Sequence, residues 1–275
     1  MLKQRIITAV ILLALLLPAL FYPSPEPFCA LTLVLIVGAG WEWARLNGCG
    51  PVASRWAGGL LGLVLVLVWW VFGLDADSRW LWPLAGGLWL VITPWLLRRG
   101  VAGWTLVPRG LRLTLGWCLI GLAWWAMVQA RVSGVTMLLS ILLLVWVADI
   151  AAYFGGKAFG RRKLAPNISP GKSWAGAYSG AVGVLALALA WVTWSAPDAP
   201  ANLYGALWSW GPLVALPVLL LLVAMSVAGD LVESLVKRSA GMKDSSQLLP
   251  GHGGVLDRVD ALLPVLPLAM WVVTW

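Results

Sequence analysis

Apolar runs of membrane-spanning length recur along the whole chain, separated by short segments rich in Gly, Pro and charge. The runs predict helices at 5–22, 28–46, 56–74, 80–97, 112–130, 135–155, 174–195, 211–230 and 259–275. The period-2 alternation of barrel strands is absent, and lipid leaves the backbone no partner outside a helix or a closed barrel. Since about 20 helical residues cross the hydrocarbon core, the pattern predicts an all-α polytopic membrane bundle of about nine transmembrane helices. Pro94 lies near the end of the fourth span, and Pro264 and Pro267 lie inside the short ninth. Residues 101–108 are apolar enough to dip into the interface. The first run follows the basic start MLKQR, as a signal peptide does, but it is long and lacks a small-x-small cleavage site. It reads as a retained first helix.

These spans use most of the 275 residues, so one integral-membrane domain, 1–275, fits and a separate soluble domain does not. The chain is 61% hydrophobic and 11% charged, against about 25% charged in soluble domains, and its mean hydropathy is +0.89. A net charge of +8 raises nucleic acid as a partner. The placement of the charge favours the bilayer instead. With a cytoplasmic N-terminus and alternating spans, seventeen Lys and Arg fall on one side and only Arg79 and Arg131 on the other, as the positive-inside rule requires. The outer loops then receive Glu26, Asp75, Asp77 and Asp198, and the remaining acids lie in, or near the cytoplasmic ends of, the helices. Cys29, Cys49 and Cys118 have no metal or redox spacing. No internal repeat of the transporter kind stands out.

One polar stretch, Asp230–Asp260, holds five of the eleven carboxylates, four basic residues and the only histidine. Intramembrane ionisable residues mark function by default. Asp230, Glu233, Ser234 and Lys237 fall at i, i+3, i+4 and i+7, sharing one face if the eighth helix continues through them. The plain alternative is an amphipathic helix end with a Glu233–Lys237 pair. Asp257 and Asp260 open the last span, where acids also suit the helix dipole. Together these acids offer hard oxygen donors of the kind Mg²⁺ uses beside substrate phosphates. Lys237, Arg238, Lys243 and Arg258 are available to neutralise phosphate. Between them, LPGHGG (residues 249–254) permits a tight turn whose backbone N–H groups suit an anion, and His252 is either a phosphate donor or a loop residue.

A second polar island spans residues 148–176. Asp149, Tyr153 and Lys157 form one helical stripe at i, i+4 and i+8, and the following loop carries Arg161, Arg162, Lys163, Ser169, Lys172 and Ser173. That composition suits phosphate, or simply a positive-inside loop. PNISPGKS lacks the first glycine and the preceding strand of a Walker motif, and GGKAFG fails the dinucleotide spacing. Glu42, between Trp41 and Trp43, is either a buried partner for a cation or an interfacial acid. Collected at one membrane face, such groups point to metal-assisted phosphoryl or nucleotidyl transfer on a lipid. The residues by themselves name neither nucleotide nor lipid.

Ser234-Leu-Val-Lys237-Arg238, four residues, Lys243-Asp244, then Leu249-Pro250-Gly-His252-Gly253-Gly254-Val-Leu-Asp257-Arg258-Val-Asp260 resembles the full signature of the phosphatidate cytidylyltransferases, or CDP-diacylglycerol synthases. Gly229-Asp230 upstream fits as well. The island from Asp149 to Ser173 is similar but looser: Gly171 and Ala175 stand where the family often has a lysine and a glutamate. Residues 1–134 carry a weak family signal and 135–275 the catalytic helices and loops. The resemblance implies the reaction CTP + phosphatidate → CDP-diacylglycerol + pyrophosphate at a cytoplasm-facing site in a bacterial inner membrane. It implies Mg²⁺, with a second cation such as K⁺, and a homodimer. On this chain it makes Asp230, Asp257 and Asp260 the metal ligands, and Asp230, Asp257, Lys237 and Arg258 the catalytic group. Phosphate and substrate contacts fall to Ser234, Arg238, Lys243, Asp244, His252, Gly253, Gly254, Lys172 and Ser173, with Asp149, Tyr153, Lys157 and Glu233 in support. The competing readings are a CTP-dependent lipid-alcohol kinase and, in a different class, an ion-coupled transporter using Asp149 and Asp230.

Overall fold

The computed structural model describes residues 2–196 and 198–275; Asp198, assigned above to an outer loop, is exposed in the turn after α7. Eleven helices and one hairpin follow in order: α1 (Leu2–Phe21), α2 (Glu26–Leu46), α3 (Pro51–Phe72), α4 (Leu81–Leu106), α5 (Arg109–Val132), α6 (Val135–Phe159), β1 (Lys163–Ala165), β2 (Ser169–Ser173), α7 (Trp174–Trp194), α8 (Leu203–Trp208), α9 (Pro212–Ser239), α10 (Leu256–Val259) and α11 (Leu262–Thr274). Every apolar run expected to be helical is helical. Among the described residues, seven helices (α1–α3, α5–α7 and α9) are long and apolar enough to cross a membrane. The protein is therefore an all-α polytopic membrane protein. The other two expected spans differ for visible reasons. α4 runs on past Arg98–Arg99 through a break at Gly100, whose φ of 65° is left-handed, and so holds the interfacial segment as its last turn. α11 has only 13 residues, short of the roughly 20 a perpendicular crossing needs.

Small residues set the close helix contacts, as expected where lipid provides no hydrophobic drive between helices. A Cβ on Gly176 or Gly180 of α7 would stand 2.8 Å from the Ala152 carbonyl or 2.9 Å from that of Ala148 on α6. Gly116 of α5 lies under the Trp43 ring of α2, and the Trp43 indole donates to the Arg112 carbonyl at 3.0 Å. A Cβ on Gly229 of α9 would stand 2.5 Å from the Asp260 carbonyl and 2.9 Å from the Pro264 ring. Each joint lies next to an acid in sequence: Asp149 follows Ala148, Glu42 precedes Trp43 and Asp230 follows Gly229. Packing by small residues thus fixes the positions of three carboxylates, of which Glu42 is fully buried, Asp230 partly buried and Asp149 exposed.

Side-chain contacts sort the connections into two ends. At one, Thr8 of α1 donates to the Pro250 carbonyl, Glu42 of α2 meets the segment 245–256, and the β1–β2 hairpin reaches α9 through Lys172. At the other, the buried guanidinium of Arg131, at the end of α5, donates to the carbonyls of Leu20, Tyr22 and Ser24. These carbonyls close α1 and the turn after it, where a helix leaves its last acceptors unsatisfied. Arg131→Met should strand them, at about 1–3 kcal/mol per buried acceptor. The expected result is a thermal midpoint in detergent lowered by several degrees with activity below the transition intact; an unchanged midpoint would refute this anchor.

Candidate active site

The eighth expected span does continue through the polar stretch. α9 carries Asp230, Glu233, Ser234 and Lys237 along one face, and its last turn places Lys237 and Arg238 where the helix dipole favours cations. Lys237 makes the expected i,i+4 ion pair with Glu233. It also reaches across to Asp257, donating to Oδ1 at 2.6 Å. The ammonium is mostly buried and bridges two buried carboxylates. Glu233 meets no donor besides this ammonium among the described residues.

Asp257 is saturated. Its Oδ2 accepts from the Ser245 N–H at 2.9 Å, the Ser245 hydroxyl at 2.9 Å and the Gly254 N–H at 2.7 Å. Burial acts to raise its pKa, but the Lys237 hydrogen bond and the Gly254 and Ser245 amides outweigh it and hold the carboxyl below the usual aspartate range. The LPGHGG turn thus gives its Gly254 N–H to one of the protein's own carboxylates, Asp257. Gly253, with φ of 84°, has no room for a Cβ, which would stand 2.8 Å from Asp257 Oδ2. The backbone N–H of His252 closes the turn onto the Leu249 carbonyl at 2.8 Å, and its Nδ1 has no partner among the described residues.

Asp230 belongs to a second cluster. The hairpin, which replaces the expected loop, presents Lys172 to α9, where its ammonium pairs with Asp230 Oδ2 at 2.7 Å and donates to the Val227 carbonyl at 3.2 Å. The other oxygen of Asp230 accepts from Ser234 at 3.2 Å. A cavity of about 500 Å³ opens here, lined by Asp149, Tyr153, Lys157, Lys172, Ser173 and Asp230 among others. The helical stripe and the basic hairpin of the second island therefore face one space with α9. Asp149 and Asp260 both feel the charges of Asp230 and Lys172. Ser173 caps α7, accepting from the Gly176 N–H at 3.2 Å. Gly171 lines the same cavity.

Asp230 and Asp257, expected to meet at one metal, instead lie in different clusters, Asp230 with Lys172 and Asp257 with Lys237. Side-chain exposure separates them, 35% for Asp230 and 7% for Asp257. Among the described residues no three His, Cys, Asp or Glu side chains converge as a ready metal site. Lys243, Asp244 and Arg258 are exposed at the same end, and Arg238 reaches only the Met242 carbonyl, at 3.5 Å. Sequence reasoning missed Ser245 and misjudged Glu42, which is fully buried and bonded to hydroxyls and backbone amides rather than to a cation. The one available signal for Glu42 was an acid placed inside an otherwise apolar span.

Fold and site together define a class: a polytopic membrane protein whose charged end holds two ammonium–carboxylate clusters, Lys237 with Glu233 and Asp257, and Lys172 with Asp230. Comparison with known proteins makes this specific. Residues 3–275 match the family described as the cytidylyltransferase family. The phosphatidate cytidylyltransferase of Pseudomonas aeruginosa is 41% identical over 100% of this chain and 99% of its own length. That of Haemophilus influenzae is 39% identical over 97% of this chain and 96% of its own length. That of Brucella suis is 35% identical over 95% and 89%. The chain belongs to the cytidylyltransferase family.

Proposed function

We infer that this enzyme transfers the cytidylyl group of CTP to phosphatidate, giving CDP-diacylglycerol and pyrophosphate in phospholipid biosynthesis. The observation that carries the reading is the match along the whole chain, with the 27-residue signature 234–260 assembled at one end of the bundle. A phosphate oxygen of phosphatidate attacks the α-phosphorus of CTP, the bond to the β-phosphate breaks, and pyrophosphate leaves. The nucleophile is already anionic, so the difficulty is repulsion between two polyanions rather than lack of a base.

Lys157 and Lys172 both line the cavity, and Lys172, next to Asp230, is the one this reading assigns to a substrate phosphate. Lys237 offsets part of the negative charge of Asp257 and Glu233 while the transfer proceeds beside them. Arg238, Lys243 and Arg258, exposed at the same end, supply positive potential for the triphosphate. The donor set also fits Mg²⁺: Asp230 is the open carboxylate, and Asp149 and Asp260 are hard oxygen donors within reach of its charge. Bound there, Mg²⁺ supplies neutralisation of phosphate charge. Asp257 joins such a site only by giving up Lys237. A second cation such as K⁺, a homodimer and a cytoplasm-facing charged end complete the reading that the family resemblance supports.

The deciding experiment supplies purified protein with Mg²⁺, phosphatidate and each nucleoside triphosphate in turn. Pyrophosphate and CDP-diacylglycerol formed with cytidine nucleotides alone is the expected result. CDP formed from CTP with a lipid alcohol would replace this reading by the lipid kinase.

A further inference from the structure

Glu42 lies on α2, far from the signature in sequence and absent from the chemistry just described. Its carboxylate nevertheless organises the segment that holds Asp257. Each oxygen takes one hydroxyl and one backbone amide. Oε1 accepts from the Ser246 hydroxyl and, at 3.0 Å, from the Val255 N–H. Oε2 accepts from the Ser245 hydroxyl at 3.2 Å and from the Leu256 N–H at 2.8 Å. Glu42, Ser245, Ser246, Val255 and Leu256 are all buried, so no solvent replaces these bonds.

The segment 240–255 is built of turns, bends and one isolated bridge. It lacks the ladder that would fix its own geometry. Glu42 clamps both of its flanks, 245–246 and 255–256, to a rigid helix. The three donors to Asp257 Oδ2 come from residues inside or next to those flanks, Ser245 twice and Gly254 once. The Ser245 hydroxyl touches both carboxylates, at 2.9 Å to Asp257 and 3.2 Å to Glu42. Its single proton serves one of them at a time, which couples their positions. Gly254 completes the joint: a Cβ there would run into the Glu42 carboxylate and the Ser245 hydroxyl.

We propose that Glu42 is a positioning residue for cytidylyl transfer, acting through Ser245 and the 255–256 amides to hold Asp257 against Lys237. Four donors converge on two oxygens, so an acceptor-only group is required. A glutamine would set its amide NH₂ against either the Val255 or the Leu256 N–H, whichever way it turned.

The proposal rests on the cytidylyl-transfer reading for its activity readout, so a readout without turnover is paired with it. Glu42→Gln should lower kcat about 10- to 100-fold, the usual effect of losing a partner that orients a functional carboxylate. The KM values for CTP and phosphatidate should stay near wild type, because neither substrate touches Glu42. Glu42→Gln and Ser245→Ala act through one path, so the double variant should be no slower than the slower single one. Hydrogen exchange on the full-length protein in detergent should show residues 243–256 exchanging faster in Glu42→Gln and α6–α7 unchanged. A wild-type kcat, rate losses that multiply, or unchanged exchange over 243–256 would each overturn the proposal. The exchange result stands whether or not the wild type releases pyrophosphate. If Glu42→Gln cannot be purified, Ser246→Ala removes one of the four donors and should accelerate exchange in the same segment; identical protection there also overturns it.

Discussion

Lys237→Met is expected to lower kcat on the order of 10³-fold, the upper range for losing one preorganised electrostatic group. This ammonium is the only bond donor to Glu233 among the described residues and the partner of Asp257 Oδ1. Removing it leaves two buried carboxylates facing one another, which destabilises the fold by about 3–5 kcal/mol. Structural and catalytic losses can be separated. In Lys237→Met/Glu233→Gln one of the stranded charges is gone, so thermal stability in detergent should largely return while pyrophosphate release stays lost. Near-wild-type turnover in Lys237→Met would remove this residue from the site.

Asp257→Asn should fold and yet be inactive, with kcat reduced about 10²- to 10³-fold. An asparagine carbonyl can still accept the Ser245 and Gly254 donors that now meet Oδ2. Its NH₂ then opposes the Lys237 ammonium, donor against donor, and turns that side chain away. The pH dependence of stability follows from the lowered pKa of Asp257. A carboxyl whose folded pKa lies below its unfolded value stabilises the protein above the ordinary aspartate range and loses that contribution as pH falls through the lowered value. Wild type should therefore unfold at a higher temperature than Asp257→Asn at neutral pH, and the two should converge in acid. A constant difference across that range would mean that Asp257 is not held as described.

Much of the bundle was legible because membrane helices are written in one dimension. An apolar run of sufficient length has no other stable form in lipid, and every predicted run is helical. The face of α9 was legible for the same kind of reason, since the i, i+3, i+4, i+7 spacing of Asp230, Glu233, Ser234 and Lys237 follows from helical periodicity. The hairpin at 163–173 was not, because LAPNISPGKS carries turn residues and no alternation long enough to mark strands. The division of labour between the lysines was also out of reach. Lys172 and Lys237 look equivalent as basic residues near membrane edges, yet one faces a cavity with Asp230 and the other is enclosed by Glu233 and Asp257.

By itself the sequence determined the membrane class, the positions of the helices, the family and the two polar islands, all properties of local pattern and of spacing along the chain. Only the tertiary structure decided which charge meets which. It brought Glu42 to Ser245 and Ser246 across 203 and 204 residues, and it set the glycine pair of the signature against two internal carboxylates. The reason is physical: a buried carboxylate must find donors wherever the fold supplies them, and the close helix approaches that bring those donors together depend on three-dimensional packing that no local pattern records.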